Sequence, residues 1–199
     1  MSITKTQQII KRLLDLCLSF FGITIFFLVL IILFVLCTID TKSLGIISQT
    51  RIGRFGKTFR LFKFKTMRDT TQPQNYITTI NDPRITKFGR FLRQTKLDEL
   101  PQLFNVLIGD MSFVGPRPDV PGYADELRGE DRIILSLRPG ITGPASLIFK
   151  NEEELLAKQA NPKQYNDQII WPKKVEINKA YIKDYSLKKD IKFILKTLF

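Results

Sequence analysis

The distribution of apolar positions divides the chain after its first forty residues. From Leu16 to Ile39 no residue is charged and Leu, Ile, Phe and Val dominate, a run longer than the roughly 20 apolar residues that carry a helix across a hydrocarbon core. Beyond it the pattern is that of short elements. Ile46 to Thr50 and Thr58 to Lys65 alternate or cluster β-forming residues around a turn from Gly53 to Gly56, which predicts a hairpin. Thr70 to Asn81 is polar, holds Pro73 and has no periodicity, so it reads as a loop. Asp82-Pro83-Arg84 opens a helix-prone run through Gly89, Arg90 and Arg93 to Asp98-Glu99, with Leu92, Leu97, Leu100, Leu103, Phe104 and Leu107 as its apolar stripe. Gly109 is placed to cap that helix, and Gly115-Pro116-Arg117-Pro118 and Arg138-Pro139-Gly140 are rigid turns that each present an arginine. Leu187, Ile191, Ile194, Leu195 and Leu198 recur at helical spacing with Lys188, Lys189, Lys192 and Lys196 on or beside the other face. Such a helix either lies on an anionic membrane or caps a core.

The first segment is a membrane helix rather than a secretory signal, because its apolar stretch is too long and no A-x-A-like cleavage site follows. Lys5, Lys11 and Arg12 precede it while Lys42, Arg51, Arg54 and Lys57 follow it. The positive-inside rule wants both flanks in the cytoplasm, which a re-entrant hairpin satisfies. Only Ser19 and Gly22 offer a break for such a hairpin, so a plain spanning helix stays open as the alternative.

Composition narrows the chemistry. With 199 residues, 44% of them hydrophobic, the chain is about one domain long and able to bury a core. Its 31 Lys and Arg against 19 Asp and Glu leave a formal charge of +12 and predict anionic partners. The seven basic residues from Arg51 to Arg68, just past the membrane segment, favour headgroup or phosphate contact over a merely solvated strand. The absence of histidine removes Ser-His-Asp hydrolysis and the H-E-x-x-H metalloproteases. Both cysteines, Cys17 and Cys37, sit in the apolar run, cannot build a zinc cluster and read as buried thiols rather than as a disulfide.

The residues left for catalysis are carboxylates, hydroxyls, Lys and Arg. Adjacent Asp98 and Glu99 lie among Arg90, Arg93 and Lys96. Phosphoryl transfer needs positive charge against the developing negative charge and a hard cation bridging phosphate oxygens, and an Arg cluster with carboxylate-held Mg²⁺ supplies both. One carboxylate can attack while its neighbour helps hold the metal. Met alone, such a pair is more often a solvated surface feature.

Longer motifs decide between these. Lys11-Arg12 with Asp15, Phe62-Lys63-Phe64-Lys65-Thr66-Met67, the stretch from Lys96 to Val106 that contains Asp98-Glu99-Leu100-Pro101, the stretch from Gly109 to Pro118, and Arg138-Pro139-Gly140-Ile141-Thr142-Gly143 stand in this order. Together they closely resemble the bacterial sugar transferases called monotopic phosphoglycosyl transferases, from about Lys11 onward. The resemblance implies an α-rich α+β monotopic membrane protein, with residues 1–40 as a membrane helix and its basic flank and residues 41–199 as a catalytic domain on the cytoplasmic face of the bacterial inner membrane. Amphipathic interfacial helices belong to the same picture. It implies a ping-pong reaction in which Asp98 attacks the β-phosphate of a UDP-sugar, releases UMP and passes the phosphosugar to polyprenol phosphate, the first membrane step of exopolysaccharide, capsule, O-antigen or glycoconjugate synthesis. Glu99, with Asp98, would hold Mg²⁺, and Arg93, Arg117, Arg84, Arg90, Lys65 and Arg138 would bind substrate phosphates. Membrane lipids are expected partners, nucleic acid is not, and self-association stays open.

Two departures accompany the resemblance. Better-known members break the membrane helix at a Ser-Pro pair where this chain has Phe27-Leu28, and many continue after Thr142-Gly143 with Trp-Ala-Gln where it has Pro144-Ala145-Ser146 and then Asn151-Glu152-Glu153-Glu154. The second change bears on contacts to the donor sugar or nucleotide. The rival reading is a non-catalytic, membrane-anchored basic protein that binds anionic lipid or nucleic acid through the hairpin and the C-terminal helix.

Overall fold

The computed structural model describes residues 3–69 and 82–198. The loop expected from Thr70 to Asn81 lies outside the described residues. The first element, α1 (Lys5–Thr41), opens on a capping box in which Thr4 and Gln7 satisfy each other's backbone groups. It runs without interruption through the apolar stretch. Neither expected break is used: Ser19 Oγ donates to the Leu16 carbonyl at 3.2 Å within the helix, and Gly22 packs against Leu103. Only 17% of its most apolar window is buried, which sets it apart from a core helix and fits a segment surrounded by lipid.

The hairpin forms as expected. Strands β1 (Ile46–Ile52) and β2 (Thr58–Phe64) pair antiparallel, from Ile46 opposite Phe64 to Ile52 opposite Thr58. The helical run after Arg84 does not form as one helix. It divides into α2 (Lys87–Thr95), a 3-10 turn at Leu97–Glu99 and α3 (Gln102–Ile108). The cause is Pro101, which has no N–H and whose ring would collide with the carbonyl four residues back in a continuous helix. Lys96 makes the corner in the left-handed region, at φ 58°. Asp98 and Glu99 thus sit on a turn between helices, and Phe104, expected in the apolar stripe, is exposed while Leu92 and Leu103 are buried.

Asn105 fixes α3 to the hairpin. Fully buried, it accepts the Phe62 N–H on Oδ1 at 3.0 Å and donates from Nδ2 to the Arg60 carbonyl at 2.7 Å, so it takes the place of a third strand at the β2 edge. Its own carbonyl accepts the N–H groups of Gly109, Asp110 and Met111, and Gly109, at φ 101°, makes the expected cap.

The two proline turns lie side by side. Strand β3 (Ser112–Val114) pairs in parallel with β4 (Gly140–Thr142). A Cβ on Gly140 would stand 2.1 Å from the Gly115 nitrogen, so only glycine allows this approach. The remaining helices are α4 (Pro144–Ile148), α5 (Glu152–Ala157), α6 (Pro162–Tyr165), α7 (Trp171–Lys183) and α8 (Leu187–Leu198), with one π-helical stretch, Asn166–Ile170, joining α6 to α7. A core of Ile52, Val114, Ile134, Leu137, Val175 and Ile182 joins the hairpin, the turns and α7. The α8 helix packs Phe193 and Ile194 on that core and leaves Ile191 and Leu195 exposed.

Removing the Asn105 side chain orphans a backbone donor and a backbone acceptor, each worth about 1–3 kcal/mol when left buried without a partner. Asn105→Ala is therefore expected to lower stability by roughly 2–4 kcal/mol in denaturant unfolding of the detergent-held protein. A loss below about 1 kcal/mol would show that α3 is held to β2 by apolar packing alone.

Candidate active site

Two cations converge on Glu99. Lys63 Nζ on β2 lies 2.9 Å from Glu99 Oε1, and Arg117 Nη2 on the Gly115 to Pro118 turn lies 3.1 Å from the same oxygen. Burial opposes the charge of Glu99, but Arg117 and Lys63 outweigh it and hold the carboxyl below its ordinary range. Glu99 is ionised at any physiological pH.

Asp98 has the opposite character. The residue is 7% exposed, and its Oδ1 is buried with no hydrogen-bond partner among the described residues. Burial raises its pKa, with Lys63 the largest opposing influence and the neighbouring Glu99 charge adding to the rise. A desolvated carboxylate oxygen with nothing bound to it is a more reactive base and nucleophile than a solvated one. Two adjacent carboxylates thus differ in role through their surroundings: one is clamped, the other free to react.

Of the predicted phosphate-binding residues, Arg117 and Arg93 belong to this site. Arg93 is within electrostatic reach of both Asp98 and Asp82. Arg90 is exposed on α2, three residues from Arg93 and on the same side of the helix. The other three are engaged elsewhere. Lys65 Nζ is bonded to both oxygens of Asp69 at 2.7 Å. Arg84 is locked on Asp82, whose carboxyl its hydrogen bonds hold down to about 2. Arg138 donates from Nε to the Gly109 carbonyl at 2.7 Å, beside Arg12 and Arg54.

Two cations at the site were not anticipated. Lys63 shares a strand face with Lys65, since alternate residues of a strand point the same way. The period-2 pattern admitted either, and only the docking of α3 selects Lys63. Arg51, on β1, is within electrostatic reach of Glu99, Arg117 and Asp119. Its signal was its place in the basic hairpin.

The membrane helix is fastened close by. Arg12 donates to the carbonyls of Val106 and Leu107 at 2.6 and 2.9 Å, capping the C-terminal end of α3. Asp15 accepts from Ser112 Oγ and the Phe113 N–H. Lys11 pairs with buried Asp190 of α8 at 2.6 Å, and Tyr181 and Tyr185 donate to the same carboxylate. Leu30, Leu33 and Cys37 of α1 pack with Phe64 and Leu92, next to the turn that carries Asp98.

Residues 6–199 match the family described as bacterial sugar transferase. The chain is 37% identical over 205 residues to the galactosyl transferase CpsE of Streptococcus agalactiae serotype III, a match that covers 97% of this chain and 42% of that protein. It is 34% identical over 199 residues to the UDP-glucose:undecaprenyl-phosphate glucose-1-phosphate transferase of Escherichia coli K12, covering 97% of this chain and 40% of that protein. With a putative undecaprenyl-phosphate N-acetylgalactosaminyl 1-phosphate transferase of Bacillus subtilis it shares 38% identity over 122 residues, 61% of this chain and 68% of the other. The chain thus spans about two fifths of the length of the first and second of these relatives. A mostly helical fold with one long apolar helix and a small hairpin agrees with that match, and the chain belongs to the bacterial sugar transferases.

Proposed function

We propose that this protein transfers a sugar 1-phosphate from a UDP-sugar to polyprenol phosphate, undecaprenyl phosphate in bacteria, and that Asp98 carries the phosphosugar between the two. The observation that carries this reading is the unpartnered, buried Oδ1 of Asp98 beside a carboxylate held by two cations. The names of several relatives, which pair a UDP-sugar or a sugar phosphate with undecaprenyl phosphate, support the substrate classes.

In the first step the Asp98 carboxylate attacks the β-phosphorus of the donor. The bond from that phosphorus to the bridging oxygen breaks, and UMP leaves with the oxygen and its electron pair. In the second step an oxygen of polyprenol phosphate attacks the same phosphorus, the bond to Asp98 breaks, and the carboxylate is restored. Arg117 and Arg93 oppose the charge that develops on the phosphoryl oxygens, and Arg90 extends the cationic surface toward solvent. Lys63 keeps Glu99 oriented, so that Asp98 alone is free to attack.

Asp98 and Glu99 suit Mg²⁺, a hard ion that takes one or two carboxylates and completes its shell with phosphates and water. When bound, the ion neutralises diphosphate charge.

A nucleotide donor made in the cytoplasm and a lipid acceptor meet on the cytoplasmic face of the inner membrane, the side that the positive-inside rule favours for the basic hairpin. The rival of a non-catalytic anion-binding protein leaves the unpartnered Asp98 oxygen without a purpose, since neutralising it would only improve anion binding.

Protein held in detergent or nanodiscs, given Mg²⁺, undecaprenyl phosphate and a panel of UDP-sugars, is expected to release UMP. Asp98→Asn should lower that release by at least about a thousandfold, the range seen when a nucleophile is removed. Release of UDP, or turnover by the variant, would contradict the mechanism. Chelation of Mg²⁺ should stop the reaction reversibly, and full activity in excess chelator would remove the metal from the account. Because Asp98 is a buried charge with an unpartnered oxygen, Asp98→Asn should leave the thermal midpoint unchanged or raise it, by up to about 2 kcal/mol in stability. A clear fall would mark Asp98 as a structural residue.

A further inference from the structure

A second set of charged side chains runs outward from Glu99, and the mechanism above does not use it. Arg117 is the link, paired with Glu99 on one side and two residues from Asp119 on the other. The Asp119 carbonyl accepts the Ile52 N–H at 2.9 Å, which fixes the residue against β1 beside Arg51. Together with Arg117, Asp119 lines a small cavity floored by Ile52, Ala124 and Leu137.

The charged groups that act on the Asp119 carboxylate are Lys174, Arg117, Arg51 and Glu152. Lys174 on α7 is bonded to Glu152 on α5 at 2.7 Å and stands 6.0 Å from the centre of the Phe149 ring. The segment from Asn151 to Glu154, where the sequence leaves the pattern it otherwise resembles, is therefore clipped to α7 and lies within electrostatic reach of Asp119 and Arg117.

Polar atoms in this cluster are left over. Arg51 Nε is buried with no partner among the described residues, and the half-buried Asp119 side chain, on whose charge Lys174, Arg117 and Arg51 act, makes no hydrogen bond among them. Buried polar groups are nearly always satisfied, by protein, water or ligand. Burial accordingly pushes the Asp119 carboxyl up to about 7.

We propose that Asp119, with Glu152 and Lys174 around it, is the subsite that selects the donor sugar, and that it takes a neutral sugar through hydroxyl or amide N–H donors. This rests on the reading given under Proposed function. There the β-phosphate lies at Arg117 and Asp98, and the sugar is bonded directly to that phosphate, so the groups just beyond Arg117 are the ones it can reach. Carboxylates accept from sugar hydroxyls, and a site built to bond such a donor rejects analogues that lack it. The charges discriminate as well. Glu99 and Glu152 are already paired with Lys63, Arg117 and Lys174, and the carboxylate of a uronic acid brought against Asp119 and Glu152 would meet groups of its own sign. The relatives named above differ in their sugar, glucose in one and N-acetylgalactosamine in another, which is the variable such a subsite must read.

The test compares parent, Asp119→Asn and Glu152→Gln in nanodiscs for UMP release from UDP-glucose, UDP-galactose, UDP-N-acetylglucosamine, UDP-N-acetylgalactosamine and UDP-glucuronate, with inhibition by UMP measured alongside. Asp119→Asn is expected to shift the ratio of kcat/KM for the preferred neutral donor to that for UDP-glucuronate at least tenfold toward the uronate, and Glu152→Gln to shift it the same way by less. UMP inhibition should stay within twofold of the parent. An equal loss with every donor would overturn the proposal and leave Asp119 a support for Arg117, and weakened UMP binding would assign the cluster to the nucleotide instead. If the parent turns over a donor and the ratios do not move, the subsite alone is wrong. Silence of the parent with every donor overturns the transfer reaction and the subsite with it.

Discussion

The meeting of Lys63 and Arg117 on one oxygen of Glu99 ties together three elements that are distant in sequence: the second hairpin strand, the turn between α2 and α3, and the first proline turn. The two cations keep Glu99 charged in a place that burial would otherwise make unfavourable. Asp98, one residue earlier, has a buried oxygen with no partner among the described residues. Clamped Glu99 and unclamped Asp98 thus differ by environment and not by residue type, and on the proposed function that difference assigns the attack to Asp98.

On the proposed function that arrangement must stand at the depth where a lipid phosphate can reach it. Arg12, Asp15 and Lys11 lie within the first three turns of α1 and bond to α3, β3 and α8 in turn, while Leu30 and Leu33 of the same helix pack beside Leu92. The Arg12 clip satisfies the last carbonyls of α3, and Lys11 supplies the counter-charge to buried Asp190. The apolar helix is thus attached at several points to the elements that carry Asp98, and its lipid-facing side chains fix the level of the turn relative to the hydrocarbon.

The long apolar run, the hairpin with its Gly53 to Gly56 turn, the cap at Gly109 and the C-terminal helix were legible from local periodicity, because each is specified by its own residues. The break between α2 and α3 was also written locally, in Pro101, but a continuous apolar stripe concealed it. What local pattern does not specify is partner choice. Lys63 and Lys65 are equivalent on a strand face, and only the clamp of Asn105 on β2 brings the first of them to Glu99. Arg84, Lys65 and Arg138, offered as phosphate ligands by the family resemblance, are bonded to Asp82, Asp69 and the Gly109 carbonyl, contacts that no local pattern announced. Asp119 carried no signal at all in the sequence, since its environment comes from β1, α5 and α7 together.

The division of roles between Asp98 and Glu99 is tested most directly by the fate of the phosphosugar when no acceptor is present. Protein incubated with a productive UDP-sugar and Mg²⁺, quenched in acid, digested and weighed by mass spectrometry should show one sugar phosphate added to the peptide that contains Asp98. That mass should disappear when polyprenol phosphate is supplied before the quench. The same mass on another residue, or UMP formed only when acceptor is present with no adduct at any time, would contradict the account.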